Sequence, residues 1–281
     1  MRDPLTIPKA SLGRGSPIAL SILPTAEAVV ARFADDLLAE HETARRAGRT
    51  PVVFIVPVGP VGQFDLVARR CNAERRSLRD LVIVNMDEYL TPDGLDWIPR
   101  SDPLSFRRHM DAHFYDLLDP GLAPPPEQRV FPDPRDLDGV PRALARGGGV
   151  DVCFGGIGIT GHVAFNEPPE PGEAVPLHEY RALPTRVVRL SRESVTIKAV
   201  TAARGSLDRI PRLAVTVGMK EILGSRKVRL YTTREWQCAI VRKILHGPVT
   251  AAVPASLLQE HPDARVTIAE RVSDLPEPAL A

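Results

Sequence analysis

The chain has 281 residues, 43% of them apolar and 25% charged, with 36 basic residues against 35 acidic ones for a net charge of +1. That length supports a large hydrophobic core without a disulfide or metal staple, and the balanced charge leaves no electrostatic footprint for nucleic acid or an anionic membrane. No apolar run approaches the roughly 18 residues of a membrane-spanning helix. Cys71, Cys153 and Cys238 are odd in number and widely spaced, a pattern that fits neither a disulfide framework nor a zinc site and suits a reducing cytosol. The expectation is a cytoplasmic α/β protein forming one domain over residues 1–281, with a loose N-terminal extension at 1–20 and a loose tail at 272–281.

In chain order, residues 25–46 carry an amphipathic helical stripe, and the β-branched run 52–56 (VVFIV) reads as a strand buried on both faces. A second strand over 81–84 (LVIV) ends in Asn85-Met86-Asp87-Glu88, and a helix with aromatics on one side is predicted over 105–118. The proline-rich stretch 120–134 reads as a surface connection. A third strand over 150–154 runs into Gly155-Gly156-Ile157-Gly158, followed by weaker strands at 186–190, 213–217, 228–231 and 266–269 and helices at 235–245 and 255–260. Strands alternating with helices predict a doubly wound, mostly parallel, Rossmann-like sheet flanked by helices. In such sheets ligands sit beyond the carboxyl ends of the strands, where the loops 57–64, 85–94 and 155–168 converge.

Asp87 and Glu88 follow a buried strand directly. A carboxylate there faces the strand-end crevice as a general base with a raised pKa, or serves as a turn or helix-capping acid. The run Gly155-Gly156-Ile157-Gly158-Ile159-Thr160-Gly161-His162 lets backbone approach a ligand closely. Its G-x-G-x-x-G match at 156, 158 and 161 is a poor dinucleotide fingerprint, because it sits late in the chain and runs into Asn166-Glu167-Pro168. His162 lies five residues before Glu167, near enough for the carboxylate to fix its tautomer; a structural histidine is the alternative. His109 and His113 have metal-pair spacing with no carboxylate nearby in sequence, which favours a solvated helix face. No G-x-S-x-G elbow or Walker motif occurs. Only five lysines (Lys9, Lys198, Lys220, Lys227, Lys243) stand against 31 arginines, a compositional habit.

Two stretches, Val84-Asn85-Met86-Asp87-Glu88-Tyr89 and the run Gly155 to Pro168 containing GHVAFNEP, resemble the signatures of the glucosamine-6-phosphate deaminase family. Thr185-Arg186-Val187, Ala214-Val215-Thr216-Val217-Gly218, Gly247-Pro248-Val249-Thr250 and Pro254-Ala255-Ser256-Leu257-Leu258-Gln259 extend the resemblance over about residues 22–269. Related 6-phosphogluconolactonases share the Gly-His element but lack AFNEP. The resemblance implies aldose–ketose isomerisation with loss of the amine, giving fructose 6-phosphate and ammonia without a redox cofactor or metal, often in a homo-oligomer. It implies that His162, held by Glu167, opens the pyranose ring and that Asp87 carries a proton between C2 and C1. Gly59, Gly62, Glu88, Gly158, Gly161, Arg192 (or, with a one-residue shift, Arg189) and Arg234 would contact the sugar or its phosphate, with glycine-loop N–H groups stabilising the enol-like charge.

The sequence also departs from the pattern. Where the family's loop resembles P-T-G-G-T, this chain has Pro57-Val58-Gly59-Pro60-Val61-Gly62-Gln63, without the threonines and with Pro60 lacking an N–H. Thr160 stands where the family usually carries an acid or amide, and a phosphate-binding lysine is replaced near Arg234 and Gln237. Proton-transfer groups are retained while phosphate recognition is altered. This leaves open a sugar that is unphosphorylated or phosphorylated elsewhere, and also a non-catalytic sugar-phosphate sensor.

Overall fold

The computed structural model describes residues 3–277. The β2 strand (Val52–Val56) is buried at every position. Six further strands flank it in the order β1-β10-β9-β6-β2-β3-β5, every neighbouring pair parallel. These are β1 (Ala19–Leu23), β3 (Leu81–Asn85), β5 (Arg129–Val130), β6 (Val152–Gly155), β9 (Lys227–Thr232) and β10 (Ala264–Ala269). The predicted doubly wound α/β architecture is therefore present. A smaller antiparallel sheet, order β4-β8-β7, is built from β4 (Asp87–Tyr89), β7 (Arg186–Arg189) and β8 (Leu213–Thr216).

The long helix α1 (Ala26–Arg46) starts where Thr25 Oγ1 accepts from Ala28 N, and it presses Val29, Phe33 and Leu37 into the core. Phe33 meets Phe64 of α2 (Gln63–Glu74), Phe154 of β6 and Tyr231 of β9, joining helix layer and sheet. The predicted helix over 105–118 is one turn of α-helix, α3 (Phe106–Met110), continuing as a π-helical turn at Asp111–Tyr115. Shorter helices follow: α4 (Gly139–Arg146), α5 (Leu177–Arg181), α6 (Arg192–Ala202), α7 (Met219–Leu223) and α8 (Cys238–His246). The predicted helix at 235–245 starts with a 3-10 turn at Glu235–Gln237, and the one at 255–260 is a 3-10 segment, Pro254–Glu260. All three cysteines are buried and unpaired.

The N-terminal extension expected to be loose is packed over its described part. Arg242, fully buried on α8, donates from Nε to Ile7 O, Gly13 N donates to His246 Nε2, and β1 forms the sheet edge. At the other end Val272 and Ser273 are buried, and Ser273 O accepts from Arg242 Nη2. A guanidinium taken out of water must spend its donors on fixed acceptors, and here those acceptors are the two chain ends. Residues 1–2 and 278–281 lie outside the described residues.

Connectivity sets where a ligand fits. From β2 the chain moves outward through β3 and β5, then returns to β6 on the other side of β2. The loops after β2 and β6 thus diverge at the reversal of strand order, where a crevice forms.

Candidate active site

A cavity of about 830 Å³ occupies this crevice. It is lined by Gly59, Pro60, Val61 and Gly62 after β2, Met86 and Asp87 after β3, Gly156, Gly158 and His162 after β6, and Thr233, Arg234 and Trp236 after β9. Of the residues singled out from the sequence, Asp87, His162, Gly59, Gly62, Gly158 and Arg234 meet in it.

Asp87 and Glu88 are adjacent on β4, and strand alternation sends their side chains to opposite sides. The Asp87 carboxylate lines the cavity and has no hydrogen-bond or ion-pair partner among the described residues. Burial raises its pKa to about 7, against the opposing pull of the Lys198 charge and with a further push from Glu88. Glu88, expected to contact the sugar, is fully buried and does not line the cavity. Its carboxylate accepts from Ser105 Oγ (2.8 Å), Phe106 N (3.0 Å), Arg107 N (2.9 Å) and Tyr89 N (2.9 Å), and pairs with Arg107 Nε at 3.2 Å. It caps α3 and pins that turn beside the cavity.

His162 is buried and braced from behind. Its Nδ1 lies 3.1 Å from Glu167 Oε2, 2.8 Å from Thr160 Oγ1 and 3.5 Å from Ser194 Oγ, while Thr160 donates to the same Glu167 oxygen at 3.0 Å. With acceptors gathered at Nδ1, the network assigns the proton there and leaves Nε2 as the basic nitrogen. Although burial raises it, the Glu167 pKa falls to about 2, held down by His162 and by the Ser194 and Thr160 hydroxyls. Thr160 and Glu167 thus support the imidazole and do not line the cavity.

The glycines of this loop act differently from expectation. A Cβ on Gly158 would lie 2.0 Å from His162 Nε2, so the bare backbone is what admits the ring. Gly158 N donates to His162 O and Gly161 N to Gly158 O, so neither is free for an oxyanion. Gly161 lies behind the cavity at φ +84°, where a Cβ would meet Val253 and Ile240.

The opposite end is apolar. Val58, Pro60 and Val61 line it, and buried Gln63 turns inward to donate from Nε2 to Val58 O. Cationic groups reach this end from Arg234 and from Arg271, which the sequence reading did not single out. Gln237, with Arg234 one of the two residues nearest the expected lysine, is a brace: it accepts from Arg234 N and donates to Ile157 O. Arg192 is not in this cavity. It borders a separate hollow with Ile159, Glu193 and Val200, because it opens α6 while the cavity touches later turns of that helix.

Three contributors were missed. Lys198 lines the cavity with its Nζ 5.7 Å from the Phe165 ring centroid and 6.0 Å from that of Phe106. Its only sequence signal was rarity, a lysine where the chain almost always uses arginine. Ser194 and Arg271 gave no signal. His109 and His113 stack at 4.4 Å, and a carboxylate does reach them: Asp65 of α2 sits 3.1 Å from His113 Nδ1. Even so, no group of three or more His, Cys, Asp or Glu among the described residues is placed to hold a metal ion.

Comparison with known proteins bears on the chain as a whole. No protein-family model matches the chain. A glucosamine-6-phosphate deaminase of Bacillus velezensis is 31% identical over 222 residues, covering 76% of this chain and 83% of the relative, and one of Exiguobacterium sibiricum is 31% identical over 240 residues, covering 85% and 86%. A solved monomeric glucosamine-6-phosphate deaminase superposes with TM-score 0.70 at 26% identity, covering 91% of this chain and 99% of that one. The Thermotoga maritima 6-phosphogluconolactonase shares the fold at 13% identity and TM-score 0.60, covering 90% and 99%. The α/β fold is the one these solved deaminase and lactonase structures share. Within it, the chain belongs to the glucosamine-6-phosphate deaminase family.

Proposed function

We propose that the protein is an aldose–ketose isomerase and deaminase of amino-sugar phosphates, converting glucosamine 6-phosphate and water to fructose 6-phosphate and ammonia. The observation that carries the reading is an unpartnered carboxylate, Asp87, facing the same cavity as an imidazole whose far nitrogen is fixed by Glu167 and Thr160. His162 Nε2 takes the proton of the anomeric hydroxyl and returns it to the ring oxygen as the C1–O5 bond breaks and the C1 carbonyl forms. Asp87 then removes the C2 proton and delivers it to C1 through an enolamine, and the proton gained by the C1 oxygen is balanced by the one the amine nitrogen gives up as the C2 imine forms. Water adds to the resulting C2 imine, and ammonia leaves. A base near neutral pKa suits both halves of that transfer, and burial places Asp87 at about 7.

The phosphate would lie at the apolar end, against Arg234 and Arg271, whose guanidinium forks suit a phosphate dianion. Measuring ammonia and ketose from glucosamine 6-phosphate, with unphosphorylated glucosamine alongside, tests the reading. Turnover of the ester and not of the free sugar is expected; ligand-induced thermal stabilisation without product would establish a sensor instead. A second reading, an unphosphorylated or differently phosphorylated sugar, draws support from Val58, Pro60 and Val61 in the cavity wall. Each charge-assisted hydrogen bond absent from a phosphate loop forgoes about 1.5–3 kcal/mol. Turnover of glucosamine itself would select this reading.

A further inference from the structure

We propose that Lys198 is a catalytic residue of this site, its ammonium donating to the sugar oxygen on C1 as the C2–H bond breaks. The inference rests on the deaminase reading above and adds the group that reading lacks. Removing a proton from C2 pushes electron density onto the C1 carbonyl oxygen, and the step is slow unless a preorganised donor meets that charge. The glycine loop does not offer its obvious donors, because the N–H groups of Gly158 and Gly161 are bonded inside the loop.

Lys198 has what is missing. It is the one lysine among the residues lining the cavity, and its Nζ makes no hydrogen bond or ion pair with any described residue. Two aromatic faces, Phe106 and Phe165, hold the ammonium in place by cation–π attraction while leaving its three N–H groups unspent. Phe165 packs 6.2 Å from the His162 ring, and the Lys198 charge feels Asp87 and Glu167, which puts it at the proton-transfer end. The charged and titratable groups facing it are Asp87, with Glu88 and Tyr89 on the same strand, and Glu167 and His162 behind the loop. Burial lowers the Lys198 pKa, while Asp87 and Glu167 pull it upward. A compact ammonium meets a single developing oxyanion, where the arginine fork favoured elsewhere in this chain suits two-oxygen groups.

The test compares Lys198→Met, Lys198→Gln and Lys198→Arg with the parent enzyme in ammonia release, C2-proton exchange with solvent, thermal midpoint and pH profile. In Lys198→Met and Lys198→Gln, kcat should fall about 10²–10³-fold, the range for loss of one oxyanion donor, with KM changed by no more than about threefold. The acidic limb set by Asp87 should move to higher pH, because the cation that opposes its raised pKa is gone; a packing role would leave that limb in place. Lys198→Arg should recover at least tenfold of the loss, and the thermal midpoints should stay at or above that of the parent, since a desolvated charge has been removed. Exchange in Lys198→Met and Lys198→Gln within threefold of the parent, with an unmoved limb, would overturn the role of Lys198 and leave the deaminase reading standing. No exchange or ammonia release in the parent would overturn both.

Discussion

The two ends of the cavity are built by opposite rules. At the proton-transfer end the groups behind the reacting ones are fixed by one another: Glu167, Thr160 and Ser194 converge on one imidazole nitrogen, and Glu88 is buried under the backbone of α3, while Asp87 and Lys198 face the cavity unpartnered among the described residues. At the other end valine and proline form much of the wall, and Arg234 and Arg271 line it together with Glu27, whose carboxylate feels the Arg271 charge. Chemistry needs sub-ångström placement and therefore a rigid shell, whereas binding a dianion needs mainly charge and tolerates long, mobile side chains. The contrast predicts that substitutions at the first end act on kcat and those at the second on KM.

The largest effect should come from Asp87→Asn. It removes the only base proposed to touch C2, and C2-proton exchange should fall at least about 10³-fold while affinity for the sugar phosphate stays within a few-fold. Exchange persisting in this variant would move the base elsewhere. In the parent, kcat should rise with pH through about 7, as Asp87 becomes ionised. Gly158→Ala should be nearly as damaging, roughly 10²-fold or more in kcat. Its methyl group would claim the space of the imidazole, and the displaced ring should show as a shifted His162 NMR resonance. An active Gly158→Ala enzyme would mean the ring is free to move and the first end is not rigid.

Arg234→Ala tests the second end. Losing one or two charge-assisted bonds to phosphate, at about 1.5–3 kcal/mol each, should raise KM for the phosphate ester by roughly ten- to a hundredfold. kcat should hold, and KM for an unphosphorylated sugar should not move. A fall in kcat alone would erase the division between the two ends.

Stability against pH sharpens the comparison inside the first end, because its two carboxylates are shifted in opposite directions. Glu167, lowered to about 2, contributes stability above its unfolded value of 4.5 that is lost as pH falls from 4.5 through 2. Asp87, raised to about 7, disfavours the folded state above 7 and ceases to do so as pH falls from 7 towards 3.8. Glu167→Gln should therefore lower the thermal midpoint at pH 7 and lose its effect near pH 2. Asp87→Asn should raise the midpoint at pH 8 and lose its effect near pH 4. A midpoint moves on the order of 2 °C per kcal/mol in a chain of this size, which scanning calorimetry resolves.

What was legible in the sequence follows the same division. The β2 strand, the loops after β3 and β6, and the Asp87 and His162 pair could be read because buried parallel strands are continuous apolar runs and sites cluster at their carboxyl ends. The roles of neighbours could not. Asp87 and Glu88 look alike in sequence, and only the strand alternation and the arrival of Ser105–Arg107 place one in the cavity and make the other a cap. The packed N-terminal segment was hidden because its anchor, Arg242, lies more than 200 residues away. The small-sheet strand β4 was missed because three residues are too few to show a period. Lys198 stood out only by composition, since its meaning depends on Phe106 and Phe165 closing around it.

The smallest expected effect is the most pointed. By resemblance Arg192 was expected to contact the sugar or its phosphate, whereas in the structure it opens α6 on a hollow of its own, outside the cavity. Position on the helix explains the difference. Lys198 lies six residues further along α6, and at about 1.5 Å per residue its Cα is roughly 9 Å further along the axis, at the level of the reacting groups. Arg192→Ala should therefore change KM and kcat by less than about twofold for phosphorylated and unphosphorylated sugars alike, the usual scale for an exposed side chain without a partner. A tenfold rise in KM confined to the phosphate ester would show that α6 swings inward when substrate binds. Recognition would then be assembled on closure, and the apolar end seen here would be an open state of the second region.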